Sequence, residues 1–263
     1  MKYTTIITIA SIFFPVYLFA SGPEKYDHMQ IYKNQKVTKS GPSHEIAYDN
    51  DGKQIARATY KYNKQGQLIE SLYSKENKSD GRSEYTYKKS VLKEETLYSA
   101  KDSVIEKVVY SYNKLNNMRM YSVKDGLGKE VLRWSFKYSR KKLTGGKRVI
   151  NKQLTEKFTV RYHKNGKVVR DIFSSTGEKM GTILAHWSGN KLTNRTKDDT
   201  TGVYKIDYRY NNKQQLVEMI FFNTVKGKLE LAKTHKFSYN EVEKLSKDSD
   251  VDKDKKISTL AHE

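Results

Sequence analysis

Polar and apolar positions alternate along this chain in short runs, and the runs repeat. At Tyr60-Lys61-Tyr62 two tyrosines flank a lysine, then Asn63-Lys64-Gln65-Gly66 forms a turn, then an aliphatic follows at Leu68. The same frame carries Ala58-Tyr60-Tyr62, Val108-Tyr110-Tyr112, Trp134-Phe136-Tyr138, Phe158-Val160-Tyr162, Ile183-Ala185-Trp187 and Ile206-Tyr208-Tyr210, with mostly polar residues between. Residues two apart share one face of a pleated strand, whereas a helix would scatter these rings around its axis. The second aromatic recurs at Tyr62, Tyr87, Tyr112, Tyr138, Tyr162, Trp187, Tyr210 and Tyr239, at intervals of 25, 25, 26, 24, 25, 23 and 29 residues. Each interval has room for two strands and two turns, which makes the repeat a β-hairpin.

The second run of each repeat starts with an aliphatic: Leu68, Leu92, Met118, Leu143, Val168, Leu192 or Leu216. Its alternation is less clean, because Leu68-Glu70-Leu72, Val168-Arg170-Ile172 and Leu216-Glu218-Ile220 each set a charge between two aliphatics. The pattern therefore leaves open which face of these strands is buried. The turns Asn63 to Gly66, His163 to Gly166 and Asn211 to Gln214 predict short hairpins with a type I turn and one left-handed residue. The versions at Lys88 to Ser90 and Ser139 to Lys142 lack Gly and predict looser connections. Asp51-Gly52, Asp80-Gly81, Asp125-Gly126, Thr176-Gly177, Thr201-Gly202 and Lys226-Gly227 mark the connections between repeats.

An opening strand at His44 to Asp49, eight aromatic strands and seven aliphatic ones make about sixteen. Short connections force neighbours to pair antiparallel, so the fold class is all-β, an antiparallel meander. At ~4.8 Å per strand a flat sheet of this size would stretch roughly 75 Å. Twist disfavours that, so a curled sheet or open half-barrel with a concave aromatic face is expected.

Outside residues 44–240 the pattern changes. Lys2, the largely apolar stretch from Ile6 to Phe19 and Leu18-Phe19-Ala20 read as a signal peptide over residues 1–20. The apolar stretch is 14 residues long, short of the ~20 that span a bilayer. Residues 21–43 form a polar N-terminal segment with one candidate strand at His28 to Tyr32, and residues 241–263 form a charged tail. The chain is thus expected to be exported, to the periplasm, the outer membrane's vicinity or the extracellular space. With no cysteine, neither disulfides nor thiol chemistry enters. The formal charge is +20. Setting aside Lys2 and the tail, with its five lysines and seven carboxylates, leaves +21 on residues 21–240. Such a field attracts an anionic partner: a glycan, a lipid headgroup or an acidic protein.

At the level of Tyr-x-Tyr-Asn-x-x-Gly-x-Leu, the repeats resemble two bacterial hairpin-repeat families, the YD repeat of Rhs-type proteins and the MORN-variant repeat. The stretch from Tyr162-His163-Lys164-Asn165-Gly166-Lys167-Val168 through Trp187-Ser188-Gly189-Asn190-Lys191-Leu192 is most similar to the MORN-variant form. Only Tyr48-Asp49 shows the YD dipeptide itself, and no toxin-like domain follows the repeats. The resemblance covers about 200 residues. It implies hairpin arrays that act as scaffolds or binding surfaces, with no catalytic residue to carry over.

Candidate chemistry is sparse. His28, His44, His163, His186, His235 and His262 show no metal-ligand spacing. His235, two residues before Phe237 on the aromatic face, is expected to pack there. No nucleophile elbow, phosphate loop or zincin helix occurs. No enzyme activity, cofactor or metal is therefore expected. Asp250, Asp252 and Asp254 alternate as in a calcium loop, but Lys255 stands where the turn needs Gly and Ala261 where a bidentate Glu is needed. A solvated charge run is the better reading of the tail. Lys61, Lys137, Arg161 and Arg209, interleaved with the rings, are the candidate anion-binding residues. They lie on the opposite strand face from the rings, so stacking and phosphate contact on one nucleic acid would not coincide. Two functions remain in view. One is a non-enzymatic envelope protein that offers a binding or scaffold surface to an anionic partner. The alternative is a periplasmic carrier of an apolar ligand on the aromatic face, or an outer-membrane barrel; charges on both faces of several second strands weigh against the latter.

Overall fold

The computed structural model describes residues 41–140 and 142–239, and every regular element in them is a strand. In chain order these are β1 (His44–Asp49), β2 (Gln54–Tyr62), β3 (Leu68–Lys75), β4 (Lys78–Lys88), β5 (Val91–Tyr98), β6 (Val104–Tyr112), β7 (Met118–Asp125) and β8 (Glu130–Ser139). Then follow β9 (Lys142–Ile150), β10 (Gln153–Tyr162), β11 (Lys167–Ser174), β12 (Lys179–Ser188), β13 (Lys191–Asp199), β14 (Gly202–Tyr210), β15 (Leu216–Val225) and β16 (Lys228–Ser238). Each strand pairs antiparallel with the next, as the sequence predicts. The sheet does not stay open as a half-barrel: β16 pairs with β1 from His44·Ser238 to Asp49·Lys233, and the meander closes into a barrel. Closure removes the two edges that an open sheet would expose. The signal peptide, the candidate strand at His28 to Tyr32 and the Asp-rich tail lie outside the described residues.

Directly opposed residues share a face, and the pairs Ala58·Tyr73, Val108·Val123, Tyr110·Tyr121 and Ile206·Phe221 place the repeat aromatics and their partners inside. A core built on Leu92, Val108, Tyr110, Tyr121, Trp134 and Phe158 runs from β5 to β10. A second, with Leu192, Ile206, Tyr208, Leu216, Met219 and Phe221 among its members, fills the wall from β12 to β16. Barrels of 16 strands and more often enclose an aqueous channel. Here Trp134 and Tyr121 are 1% exposed, so at their level the interior is a packed core. Gly146 makes that packing possible. It faces Phe136 on one side and Phe158 on the other, and a Cβ there would stand 2.5 Å from the Phe158 ring. The two rings meet edge to face over it, 6.3 Å apart.

The irregular second runs have one cause. In β3, β5, β7, β9, β13 and β15 the register slips by one residue just after the first aliphatic: Tyr62 faces Leu68 but Lys61 faces Glu70, and Tyr210 faces Leu216 but Arg209 faces Glu218. The extra residue is a β-bulge, and it reverses the parity of everything downstream. Leu68 therefore points inward with Ser71 and Tyr73, while Glu70 and Leu72 point out. In β11 the pairing runs on without a slip, so Val168, Arg170 and Ile172 all face in.

The hairpin turns take the expected form. Asn63 Oδ1 accepts from the amides of Gln65 (3.0 Å) and Gln67 (2.9 Å). Asn113 repeats this with Leu115 and Asn117, and Gly66, Asn116, Gly166 and Gln214 supply the left-handed residue. Two expectations need correction. The Lys88 to Ser90 connection is tight, because Lys89 and Ser90 both adopt positive φ (50° and 61°) in a two-residue turn. Asp80-Gly81 is no connection but part of β4; the turn before it is Glu76-Asn77, and Gly81 sits at a register slip opposite Tyr73.

Candidate functional site

The repeat aromatics Tyr62, Tyr87, Tyr112, Tyr138, Tyr162, Trp187, Tyr210 and Tyr239 all lie within one residue of the end of an even-numbered strand. They therefore ring one mouth of the barrel. Their hydroxyls stitch the repeats together. Tyr87 donates to the Leu68 carbonyl (2.8 Å), Tyr210 to Leu192 (3.0 Å), Tyr239 to Leu216 (2.9 Å) and Tyr62 to Pro42 (2.8 Å). Each of these four hydroxyls thus ties its ring to a backbone carbonyl 18 to 23 residues earlier in the chain. Burial pushes the Tyr87 hydroxyl up to about 12, and raises Tyr62 and Tyr210 too. The rings remain partly open to solvent, and Tyr162 is 45% exposed.

Lysines from the turns and strand starts lie over several of these rings: Lys93 over Tyr112 (5.3 Å), Lys142 over Tyr162 (5.4 Å) and Lys191 over Tyr210 (5.5 Å). Rings and cations were expected on opposite strand faces, where they would not meet. They meet at the mouth, where the chain turns over, and also along the wall, where Arg82 lies over Tyr98 (4.2 Å) and Arg148 over Trp134 (5.6 Å). Such contacts are worth ~0.5–1 kcal/mol when exposed. They also hold the ammonium groups at the rim of an aromatic surface.

The four candidate anion-binding residues occupy equivalent positions on the outer wall, one residue before a mouth aromatic. Lys61 (β2), Lys137 (β8), Arg161 (β10) and Arg209 (β14) are exposed, and the strands separate them around the circumference. Three of them face carboxylates. Lys61 meets Glu70 at 2.6 Å, Arg161 meets Asp171 at 2.6 Å and Arg209 meets Glu218 at 2.8 Å. Lys179 also bonds Asp171 and, with Arg161 near it, holds that carboxyl below its usual range. The outer wall continues in the same style, with Lys107·Glu94, Arg133·Glu130 and Lys205·Asp207. Its charges are largely spent on one another.

A different cluster lies buried where β1, β2 and β16 close the barrel. Glu45 is 6% exposed and His235 2%. The Glu45 carboxylate takes hydrogen bonds from both His235 Nδ1 and the Tyr60 hydroxyl. His235 also packs on Phe221, their rings 4.8 Å apart, so the expected packing part holds and a hydrogen bond joins it. Lys233 is 7% exposed, with Nζ 4.3 Å from the centre of the Phe221 ring and no hydrogen-bond partner. Asp49 faces it across the ladder, but the Asp49 carboxylate caps its own turn through the amides of Asp51 and Lys53. Burial lowers the Lys233 amine to about 7, against a weaker opposing pull from Glu45. The unfolded amine titrates near ~10.4. Between those values the unfolded chain binds more protons, so this group makes stability rise with pH there. Lys233→Met should add about 1–3 kcal/mol at neutral pH by removing an unpaired buried amine. It should also flatten the rise of the thermal midpoint from about pH 7 to about pH 9. A midpoint that fell, or an unchanged slope, would mean that the amine reaches a partner.

Among the described residues no group of three His, Asp or Glu could hold a metal ion, and no helix is long and apolar enough to cross a membrane. The buried seam joins residues 190 positions apart, and no local spacing signals it. The grouping of lysine turns at the mouth had a visible signal, because the turns after Tyr62, Tyr87, Tyr112, Tyr138, Tyr162 and Tyr210 each carry a base.

No family model matches the chain, and no curated protein matches its sequence. Among solved structures, a porin-like protein from Bacteroides uniformis is similar with a TM-score of 0.50 at 12% identity, over 76% of this chain and 96% of that one. A porin-like protein from Bacteroides vulgatus aligns over 76% of this chain and 99% of that one, at 8% identity and a TM-score of 0.34. The first likeness shows a shared barrel fold. At that identity it speaks of the fold alone, and the second carries no argument.

Proposed function

We propose that this chain is an exported, non-enzymatic β-barrel of the bacterial envelope that works in water and binds an anionic amphiphile at its aromatic mouth. The observation that carries the reading is the division of surfaces. The barrel turns the repeat aromatics inward and gathers them at one mouth under lysines, while its outward face carries charged residues beside Phe173 and Phe222. A membrane-spanning barrel needs the reverse, an outward apolar band ~25 Å tall in which each Lys or Arg at the midplane is penalised by ~2–4 kcal/mol. Here Arg57, Lys107, Arg133, Lys147, Lys157 and Lys205 all stand on the outward face, many of them near mid-strand. This favours the carrier over the outer-membrane alternative. It also shifts the site from the basic wall to the mouth. The buried Glu45, Glu95, Glu156 and Arg195 make the deep interior a poor host for a purely apolar chain. A ligand with an apolar body and an acidic head fits the mouth better.

Trp187 is a built-in reporter of this site. In a Trp134→Phe background, titration with a long-chain fatty acid should shift Trp187 emission to the blue and saturate. Native mass spectrometry of protein from its host should find a bound amphiphile. An unresponsive Trp187 together with a ligand-free mass would overturn the reading.

A further inference from the structure

The two ends of the barrel differ in charge far more than the two faces of its wall. The seven connections at the aromatic mouth, residues 62–68, 87–92, 112–118, 138–143, 162–168, 187–192 and 210–216, contain eleven Lys or Arg and no Asp or Glu. The eight connections at the opposite end, residues 49–54, 75–78, 98–104, 125–130, 150–153, 174–179, 199–202 and 225–228, contain nine bases and eight acids. Their turn chemistry is otherwise alike. Asp49 and Asp125 cap their turns at one end as Asn63 and Asn113 do at the other. A carboxylate serves that cap as well as an amide does. The use of Asn or His at the mouth, where the other end uses Asp49 and Asp125 alongside Ser99 and Ser174, is therefore not demanded by the turn. It removes negative charge from one end only.

From this asymmetry we infer that the aromatic mouth is a docking face for an anionic lipid bilayer, which the barrel meets end-on. The inference rests on the mouth being the working end, as proposed above, and names the surface from which an amphiphile would come. Three features select a bilayer from among polyanions. The basic turns are distributed around the whole circumference, and a planar surface can meet all of them at once, whereas a single extended chain would cross only some. The turns are short and hydrogen-bonded, so each cation is held close to its strand ends. Between them lie Tyr162, Trp187 and the exposed Leu115 (58%), side chains that settle at the headgroup level of a membrane. Lys64, Lys89, Lys114, Lys164 and Lys213 are all exposed at this end. Each basic residue held near an anionic surface strengthens binding about five-fold.

The test uses the full chain with vesicles of phosphatidylcholine alone and with phosphatidylglycerol added. Two variants of equal net charge separate docking from bulk charge. One carries Lys64→Glu, Lys89→Glu, Lys164→Glu and Lys213→Glu at the mouth; the other carries Lys101→Glu, Lys129→Glu, Lys152→Glu and Lys226→Glu at the far end. All eight positions lie in exposed turns, and circular dichroism checks that both variants fold. The expected result is flotation with phosphatidylglycerol vesicles only, weakened by salt, lost by roughly a hundred-fold or more in the mouth variant and largely kept in the far-end variant. Equal losses in the two variants would overturn the inference, as would equal binding to neutral vesicles. So would retention on heparin without binding to vesicles, which would identify a polyanionic glycan instead. A vesicle-binding chain whose Trp187 ignores fatty acid would keep the docking face and remove the carrier reading; the converse would do the opposite.

Discussion

Replacing Glu45 by alanine is expected to remove about 3–5 kcal/mol of stability, because it strands a buried polar cluster without its anion. Glu45 stands on β1 where the first strand meets the last. Its carboxylate serves His235 and Tyr60 together, with Lys233 on the same inward face. The β1–β16 seam has only six residue pairs, and it closes a chain loop whose length alone imposes roughly 5 kcal/mol of entropy. Side-chain links across that seam therefore matter more than links between neighbouring hairpins, where closure is local. Glu45→Gln keeps the shape and one acceptor oxygen, so its loss should be nearer 1–2 kcal/mol, about that of a weakened hydrogen bond. Urea unfolding reads both losses as midpoint shifts at constant slope. Equal losses for alanine and glutamine would show that a neutral amide replaces none of the carboxylate's contribution, whereas negligible losses for both would show that the seam rests on backbone pairing alone.

The period of 25 and the alternation within the first runs carry most of this fold, because strand, turn and repeat are all local. β1 begins and ends where the sequence places it, at His44 and Asp49. Three things were not legible. The bulge after Leu68 or Leu216 depends on the partner strand, and one inserted residue reverses which of Glu218 and Met219 is inside. Closure depends on curvature summed over all sixteen strands, to which no single repeat points. The pairing of Glu45 with His235 needs closure first. The basic mouth is a different case, since its signal stood in the sequence throughout. Lys61, Lys137, Arg161 and Arg209 drew attention because they interleave with rings along a strand. Folding instead gives three of them carboxylate partners, and gathers the unmatched charge in the turns beyond them.

The second large effect is expected at Trp134, where truncation to alanine should also lose about 3–5 kcal/mol. Trp134 lies at the middle of the β5–β10 core. Its ring stacks at 10° on Phe136 with centroids 6.4 Å apart, tilts against Phe158 at 5.9 Å and carries the Arg148 guanidinium 5.6 Å above it. Neither neighbour can fill the gap. Phe158 is already held over Gly146, and Arg148 is engaged with Glu156 at 3.2 Å, so its charge would be left against an empty space. Trp187, the same kind of residue at the mouth, has solvent on one side, and Trp187→Ala should lose less than half as much. The comparison separates two accounts of the repeat. If the aromatics act chiefly by tiling one hairpin on the next, both truncations should be alike, since both break one inter-repeat contact. If the barrel is held by a filled interior, Trp134→Ala should dominate, with a near-ultraviolet circular dichroism signal much reduced and a thermal midpoint well below that of Trp187→Ala. The 1% exposure of Trp134, against a Trp187 that is only half-buried, favours the filled interior.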